Sequence, residues 1–278
     1  MNRRAFTLVE LLVVIAIVGL LSSVAVISMS TSRDKAKLAS GMSFDATLAR
    51  TLGTGLVAEY NFEEGSGTTT SDTSGLGNTG TLVGGPTWST DTYGTESRYS
   101  LVFQSGRYVR ATSGFGIGDK NFTIALWIKT TSATGQMYVV TNSGSGDGYR
   151  FGLGGGRVSF LLGNGPNSEG NCTSQAVNDG KWHHIAGVFD RTGLKMTCYI
   201  DGHASPSLTF PSAYAGMSDG LPYIGSGYCC TAFVGQLDNV KVFTQNLSGA
   251  MINDIYLKER ARFVAANIID GIERVVRK

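Results

Sequence analysis

Carboxylates are the groups in this sequence best placed to do chemistry, and Glu10 stands where a charge is hardest to keep. It precedes nineteen uncharged residues, Leu11 to Met29, enough to cross a bilayer core as a helix at ~1.5 Å per residue. An unpaired Glu in hydrocarbon costs roughly several kcal/mol, so Glu10 needs a partner or a route to the headgroups. A second group is Asp72, Ser74 and Asn78, spaced along a Gly-rich stretch ending at Gly80. Hard cations such as calcium take several oxygen ligands from loops of this kind, though the same side chains also make turn hydrogen bonds. Glu59 and Glu63 have the i, i+4 spacing of a strand-borne carboxylate pair. His183 and His184 follow Trp182 on a strand, so they face opposite sides, and no nearby Ser or Cys completes a nucleophile arrangement. On these residues the chain reads as a non-enzyme.

Four cysteines, Cys172, Cys198, Cys229 and Cys230, all lie beyond the apolar segment. Arg3 and Arg4 precede that segment, so the positive-inside rule puts Met1 in the cytoplasm and the rest outside. Disulfides are the default there. Because a vicinal disulfide strains the backbone, Cys229 and Cys230 are expected to reach Cys172 and Cys198. No CxxC or His spacing supports zinc. The net charge of +2 and the lack of a basic cluster argue against nucleic-acid binding.

These groups need elements to hold them. The apolar stretch is a helix that continues through Ser30–Leu52, where Leu38, Met42, Ala46 and Ala49 recur at helical spacing before Gly53-Thr54-Gly55 stops it. On residues alone it serves as an ordinary anchor, as a secretory signal cut after Ala25, or as a retained assembly helix. From Leu56 the period changes to two: Leu56, Ala58, Tyr60 and Phe62 alternate with Val57, Glu59, Asn61 and Glu63. A loop is expected from Gly65 to Gly85. Short strands are then predicted at Leu101–Phe103, Tyr108–Ala111, Phe122–Lys129, Gln136–Thr141, Tyr149–Leu153, Arg157–Leu162, Trp182–Asp190, Lys195–Ile200, Leu221–Ile224 and Phe233–Phe243. Asp201-Gly202 reads as a hairpin turn. With 38 glycines, this pattern predicts a mainly β antiparallel sandwich or jelly roll. Loops at Ser143–Gly148, Gly163–Asn171 and Ser212–Gly220, with Tyr214, Tyr223 and Tyr228, could present rings and polar groups to a ligand. The segment from Ser248 to Lys278 reads as helix, capped by Ser248.

Two resemblances sharpen these expectations. The basic leader, Ala5, and the run Phe6-Thr7-Leu8-Val9-Glu10 entering the apolar helix closely resemble a type IV prepilin segment. This implies that a prepilin peptidase cuts between Ala5 and Phe6 and that the new amine is methylated. It also implies that Glu10 pairs with the N-terminus of a neighbouring pilin subunit, since a buried charge is tolerable only when paired. Ala5 stands where the family usually has Gly, and the Pro common in major pilins about two dozen residues in is absent. Both fit a minor pilin or a pseudopilin better than a major one.

The ordered series Leu56–Gly67, Asp72–Gly80, Phe122–Lys129, Lys181–Asp190, Tyr199–Gly202 and Phe233–Phe243 resembles the laminin G-like, concanavalin A-like jelly roll. That implies two antiparallel sheets with the first and last strands adjacent, a carbohydrate or protein ligand, and often a structural calcium. Oxygens of Glu63, Asp72, Asn78 and Asp238 would share it, Asp238 lying on the strand expected beside the first. The E-x-D-x-E pattern of the glucanase relatives is absent. The expected organisation is a leader (1–5), a transmembrane and stalk helix (6–53), a laminin G-like sandwich (54–257) and a C-terminal amphipathic helix (258–278). The expected life history is insertion in a bacterial inner membrane, then incorporation into an extracellular filament. The rival readings are a type II secretion pseudopilin and a membrane-anchored carbohydrate-binding adhesin that does not polymerise.

Overall fold

A computed structural model describes residues 55–94, 97–142, 148–162, 169–209, 220–226 and 232–260. All belong to the second of two units into which the chain divides, residues 54–278. Ala5, Phe6, Glu10, the anchor and stalk helix, Cys229, Cys230, Tyr214, Tyr228 and the tail beyond 260 lie outside the described residues. Among the described residues no helix is long and apolar enough to cross a membrane.

The described chain runs through β1 (Leu56–Tyr60), β2 (Thr69–Thr70), β3 (Gly80–Val83), β4 (Thr87–Ser89), β5 (Ser100–Phe103), β6 (Tyr108–Ala111), β7 (Phe122–Lys129), β8 (Gln136–Thr141) and β9 (Tyr149–Gly154). It continues through β10 (Arg157–Leu162), β11 (Glu169–Ala176), β12 (Trp182–Asp190), β13 (Lys195–Ile200), β14 (His203–Ala204), β15 (Leu208–Thr209), β16 (Tyr223–Ile224) and β17 (Gly235–Phe243). One nine-stranded sheet has the order β14-β13-β12-β7-β17-β5-β4, with β1 on β17 and β15 on β13. The other has eight strands in the order β11-β10-β9-β8-β16-β6-β3-β2. Every strand pair is antiparallel, as the mainly β sandwich expected from the sequence requires.

Alternation decides which side chains meet between the sheets. On β7 the even residues Phe122, Ile124, Leu126 and Ile128 are fully buried in the core. Phe122 is the junction of the two layers. Its ring lies 5.3 Å from that of Phe189 in its own sheet, and 5.3 and 6.1 Å from those of Tyr149 and Phe160 in the other. Burial of one such ring contributes about 1.5–3 kcal/mol. The Asp201-Gly202 turn forms as its sequence dictates, with φ of 50° and 79° closing a two-residue hairpin in which Ile200 pairs with His203.

Helix α1, residues 249–260, covers the outer face of the nine-stranded sheet. Ser248 caps it, its hydroxyl accepting from Met251 N. Ile252, Ile255, Tyr256 and Glu259 recur at helical spacing and are all buried. The helix therefore passes the boundary expected at residue 257.

Three expectations need correction. The stretch Gly65–Gly85 is not all loop: it contains β2 and β3, polar strands at the edge of the eight-stranded sheet. Likewise β11 begins at Glu169, inside the expected loop Gly163–Asn171. The cysteine pairing differs too. Cys172 bonds Cys198, with Cα atoms 5.6 Å apart, so neither reaches Cys229 or Cys230. The reason is topological: β11 is the edge strand of one sheet and β13 lies near the edge of the other, so the bond closes one flank of the sandwich.

Candidate metal and ligand sites

Asp238 sits where a central strand changes its neighbour. On one edge of β17, Gly235–Leu237 pair with β5, and Val240–Phe243 pair with β1. Between those ladders, among the described residues, Asp238 and Asn239 have no strand partner on that edge. A bulge marks the spot. Asp238 and Lys241 oppose Trp127 and Ala125, three residues against two, and Asn239 takes φ 48°. Into this notch come the end of β1 and the approach to β5. Phe62, at φ 53°, turns the chain out of β1. Both Glu63 carboxylate oxygens then accept from Arg98 N, at 3.0 and 3.1 Å. The hydroxyl of Ser97 donates to Asp238 Oδ2 at 2.7 Å.

Asp238 is fully buried, and its Oδ1 has no hydrogen-bond partner among the described residues. Burial pushes its carboxyl well above the usual range, and the charge of Glu63 adds to the rise despite the Ser97 bond. Two carboxylates, one holding a bare buried oxygen, form a donor set that suits a hard cation.

Asp72 and Asn78 are held elsewhere. Asp72 Oδ1 accepts from Glu59 N and Ser74 N, both at 2.9 Å, and Oδ2 accepts from Asn78 N at 2.8 Å. Burial alone would raise the Asp72 pKa, but these hydrogen bonds outweigh it and hold the carboxyl below its ordinary value. Asn78 donates to Val57 O at 2.8 Å and accepts from the Ser113 hydroxyl. This pair staples the Gly-rich turn to β1. The structure thus groups Glu63 with Asp238, and Asp72 with Asn78. Among the described residues no cluster of three or more His, Cys, Asp or Glu side chains is arranged to hold a metal.

Glu59 and Glu63 do not face one another across a groove. Glu59 turns to Lys241, whose Nζ lies 3.2 Å from it and 2.7 Å from Glu259. Burial opposes the Lys241 charge, but the two carboxylates more than offset this and raise its pKa. The histidines do face opposite ways. His183 bonds Asp201 Oδ2 at 2.9 Å and Asp179 Oδ1 at 3.1 Å, which raises its pKa. His184 is buried beneath α1, with its ring 5.5 Å from that of Trp127 and 5.9 Å from that of Tyr256. Neither of its ring nitrogens has a hydrogen-bond partner among the described residues, and burial lowers its pKa. Tyr223 is half-buried, edge-on to Tyr108 at 5.5 Å. Sequence reasoning missed Glu259. Its signal was Lys241 and Trp127, two outward polar groups on central strands that had to be matched by whatever covered them.

Residues 103–253, just over half of the chain, match the model of the concanavalin A-like lectin/glucanases superfamily. Residues 1–26 match the prokaryotic N-terminal methylation motif. No curated protein matches the chain. Solved structures similar in fold include domain 4 of AbnA, a GH43 extracellular arabinanase from Geobacillus stearothermophilus, in complex with arabinotriose. It is 18% identical with a TM-score of 0.60, over 73% of this chain and 98% of that one. The binding domain of Paraclostridial Mosquitocidal Protein 1 is 14% identical with a TM-score of 0.59, over 74% and 53%. A structure of botulinum neurotoxin type C, whose cell entry depends on interaction with two ganglioside molecules, is 15% identical with a TM-score of 0.60, over 75% and 52%. The chain spans about half the length of these two toxin chains. With its two antiparallel layers and this match, the chain belongs to the concanavalin A-like lectin/glucanase superfamily, and at its front end it carries the prokaryotic N-terminal methylation motif.

Proposed function

We propose that the chain is a structural subunit of a type IV pilus-like filament, displaying a lectin-like head outside the cell. The observation that carries this reading is the joining, in one chain, of a methylation motif at 1–26 and a concanavalin A-like domain. Cleavage between Ala5 and Phe6 would leave the apolar helix on the mature protein, held in the inner membrane until assembly. Glu10 would then meet the amine of a neighbouring subunit, which removes the cost of a lone charge among apolar helices. The head carries the recognition. Its relatives in fold include a domain solved with arabinotriose and a toxin that interacts with gangliosides, which supports a carbohydrate ligand and a non-catalytic role. Calcium would bind at Glu63 and Asp238, where the bare Asp238 oxygen fits it, and not on the Asp72–Asn78 turn.

Mass spectrometry of the mature protein, with fractionation of sheared surface filaments, tests this. The expected N-terminus is methylated Phe6, in protein recovered with filaments, and Glu10→Ala should leave the filament fraction while the head keeps its melting temperature. An N-terminus at Val26 would mean the helix is discarded. Processed protein found only in membranes would favour an adhesin that does not polymerise.

A further inference from the structure

The outer face of the eight-stranded sheet carries a charge pattern that its fold does not require. Seven of its strands, β2, β3, β6, β8, β9, β10 and β16, contain no Asp or Glu. They contain three arginines, Arg110, Arg150 and Arg157, all at outward positions by alternation, since Val109, Phe151 and Val158 are core residues. Strand register joins one outward row across all eight strands: Thr69, Thr81, Arg110, Tyr223, Thr141, Arg150, Leu161 and Glu169. The one acidic position in this row, Glu169, lies at its far edge.

Among the described residues, the half of the face carried by β2, β3, β6 and β16 is the more open. Thr141 and Leu161 are buried, whereas Thr69, Thr81 and Arg110 are exposed and Tyr108 and Tyr223 partly so. In the open half Arg110 stands directly between Thr81 and Tyr223 on neighbouring strands. The Tyr108 ring meets that of Tyr223 edge-on at 5.5 Å. This juxtaposes a guanidinium, two threonine hydroxyls and a pair of rings within roughly three strand spacings of ~4.8 Å.

We propose that this surface binds an acidic saccharide, with Arg110 pairing a sugar carboxylate and Tyr108 and Tyr223 packing against the sugar ring. The inference rests on the reading of the head as carbohydrate-binding. A guanidinium presents parallel N–H donors that fit a carboxylate two-to-two, a match a neutral sugar cannot use. Threonine hydroxyls beside it supply donors and acceptors for ring hydroxyls. Arg110, on strands that carry no carboxylate, attracts anions, and the attraction weakens with salt. The rings favour a saccharide over an acidic peptide, because a sugar offers flat C–H faces at a fixed distance from its carboxylate.

Calorimetric titration of the full-length protein in detergent tests this, with polygalacturonate, its methyl ester, neutral arabinan and polyglutamate as probes. Polygalacturonate should bind and the methyl ester should not. Arg110→Gln should weaken binding by about tenfold or more with an unchanged melting temperature, and Tyr223→Ala should weaken it as well. Raising salt should weaken the wild type more than Arg110→Gln. Polygalacturonate binding untouched by Arg110→Gln overturns the proposal. Binding of arabinan alone also overturns it while leaving the carbohydrate-binding head intact. Arg110-dependent binding of polyglutamate without polygalacturonate reassigns the face to acidic peptides. Binding of no glycan removes both this inference and the carbohydrate reading beneath it.

Discussion

Glu259 Oε2 accepts the indole N–H of Trp127 at 2.5 Å, joining the middle of the nine-stranded sheet to a residue 132 positions later on the helix that covers it. The other oxygen of Glu259 takes Lys241 Nζ. Removing this carboxylate leaves a buried indole N–H unmatched and Lys241 with Glu59 and the Asn239 amide oxygen. Breaking a buried pair costs about 3–5 kcal/mol, and the remaining Glu59 contact puts Glu259→Ala near the lower end. Denaturant melts should therefore show a loss of about 3 kcal/mol, and Glu259→Gln a smaller one. A loss for Glu259→Ala below about 1 kcal/mol would mean the helix does not rely on this contact.

The two adjacent histidines should give opposite pH responses. His184 is buried among Trp127 and Tyr256, with Lys241, Glu259 and Asp201 as the charged groups acting on it, and its folded pKa is lowered. Its unfolded form takes up a proton first, so stability falls as pH drops below about 6.5. His183 faces Asp201 and Asp179, and its folded pKa is raised. Its stabilisation is complete below about 6.5 and fades as pH rises through the folded value. Melts at pH 5.5 and 8 should show His184→Phe flattening the acid-side decline. His183→Gln should cost more at pH 5.5 than at pH 8.

Closure of a loop spanning 26 residues by Cys172–Cys198 contributes about 3.5 kcal/mol by the chain-entropy estimate. Cys172→Ala with Cys198→Ala should lower stability by an amount of that order. Non-reducing peptide mapping should recover a Cys172–Cys198 peptide. Peptides joining either residue to Cys229 or Cys230 would contradict the fold.

The proposed calcium site separates two acidic groups that the sequence placed together. Saturating calcium at about 100 times Kd should raise wild-type stability by about 2.7 kcal/mol, and Asp238→Asn should abolish the gain. Without calcium, Asp238→Asn should be no less stable than wild type, since it removes a buried carboxyl repelled by Glu63. Asp72→Asn should behave in the reverse way, less stable with or without calcium yet still responsive to it, because its oxygens are spent on three backbone N–H groups.

These contrasts show where sequence reading succeeded. Strands such as Phe122–Lys129 and Trp182–Asp190 have an apolar alternation on at least one face that only a sandwich core satisfies, and they appear at the expected residues. Thr69–Thr70 and Glu169–Ala176 escaped notice because the residues they bury, such as Thr70, Cys172 and Thr173, are small or polar and make no apolar alternation. Glu59 and Glu63 looked like a matched pair because a straight strand was assumed, whereas the left-handed Phe62 between them sends them to different partners. The adjacency of Asp238 to Glu63 was legible, because the first and last strands of such a sandwich lie side by side. Glu259 was legible only through Trp127 and Lys241, the outward groups it matches, because taken alone a Glu on an amphipathic helix normally points to water.

The pairing of β1 with β17 has a mechanical meaning. Any pull transmitted to the domain through residue 54 arrives at Gly55, whose carbonyl is bonded to Thr244 N, and then at the ladder from Leu56 to Tyr60. That ladder hands the tension to β17 and through it to β7, whose residues Phe122 to Ile128 are all buried, and not to a peripheral turn. If the domain is the filament head proposed above, drag on a bound surface would load these central strands before the eight-stranded sheet.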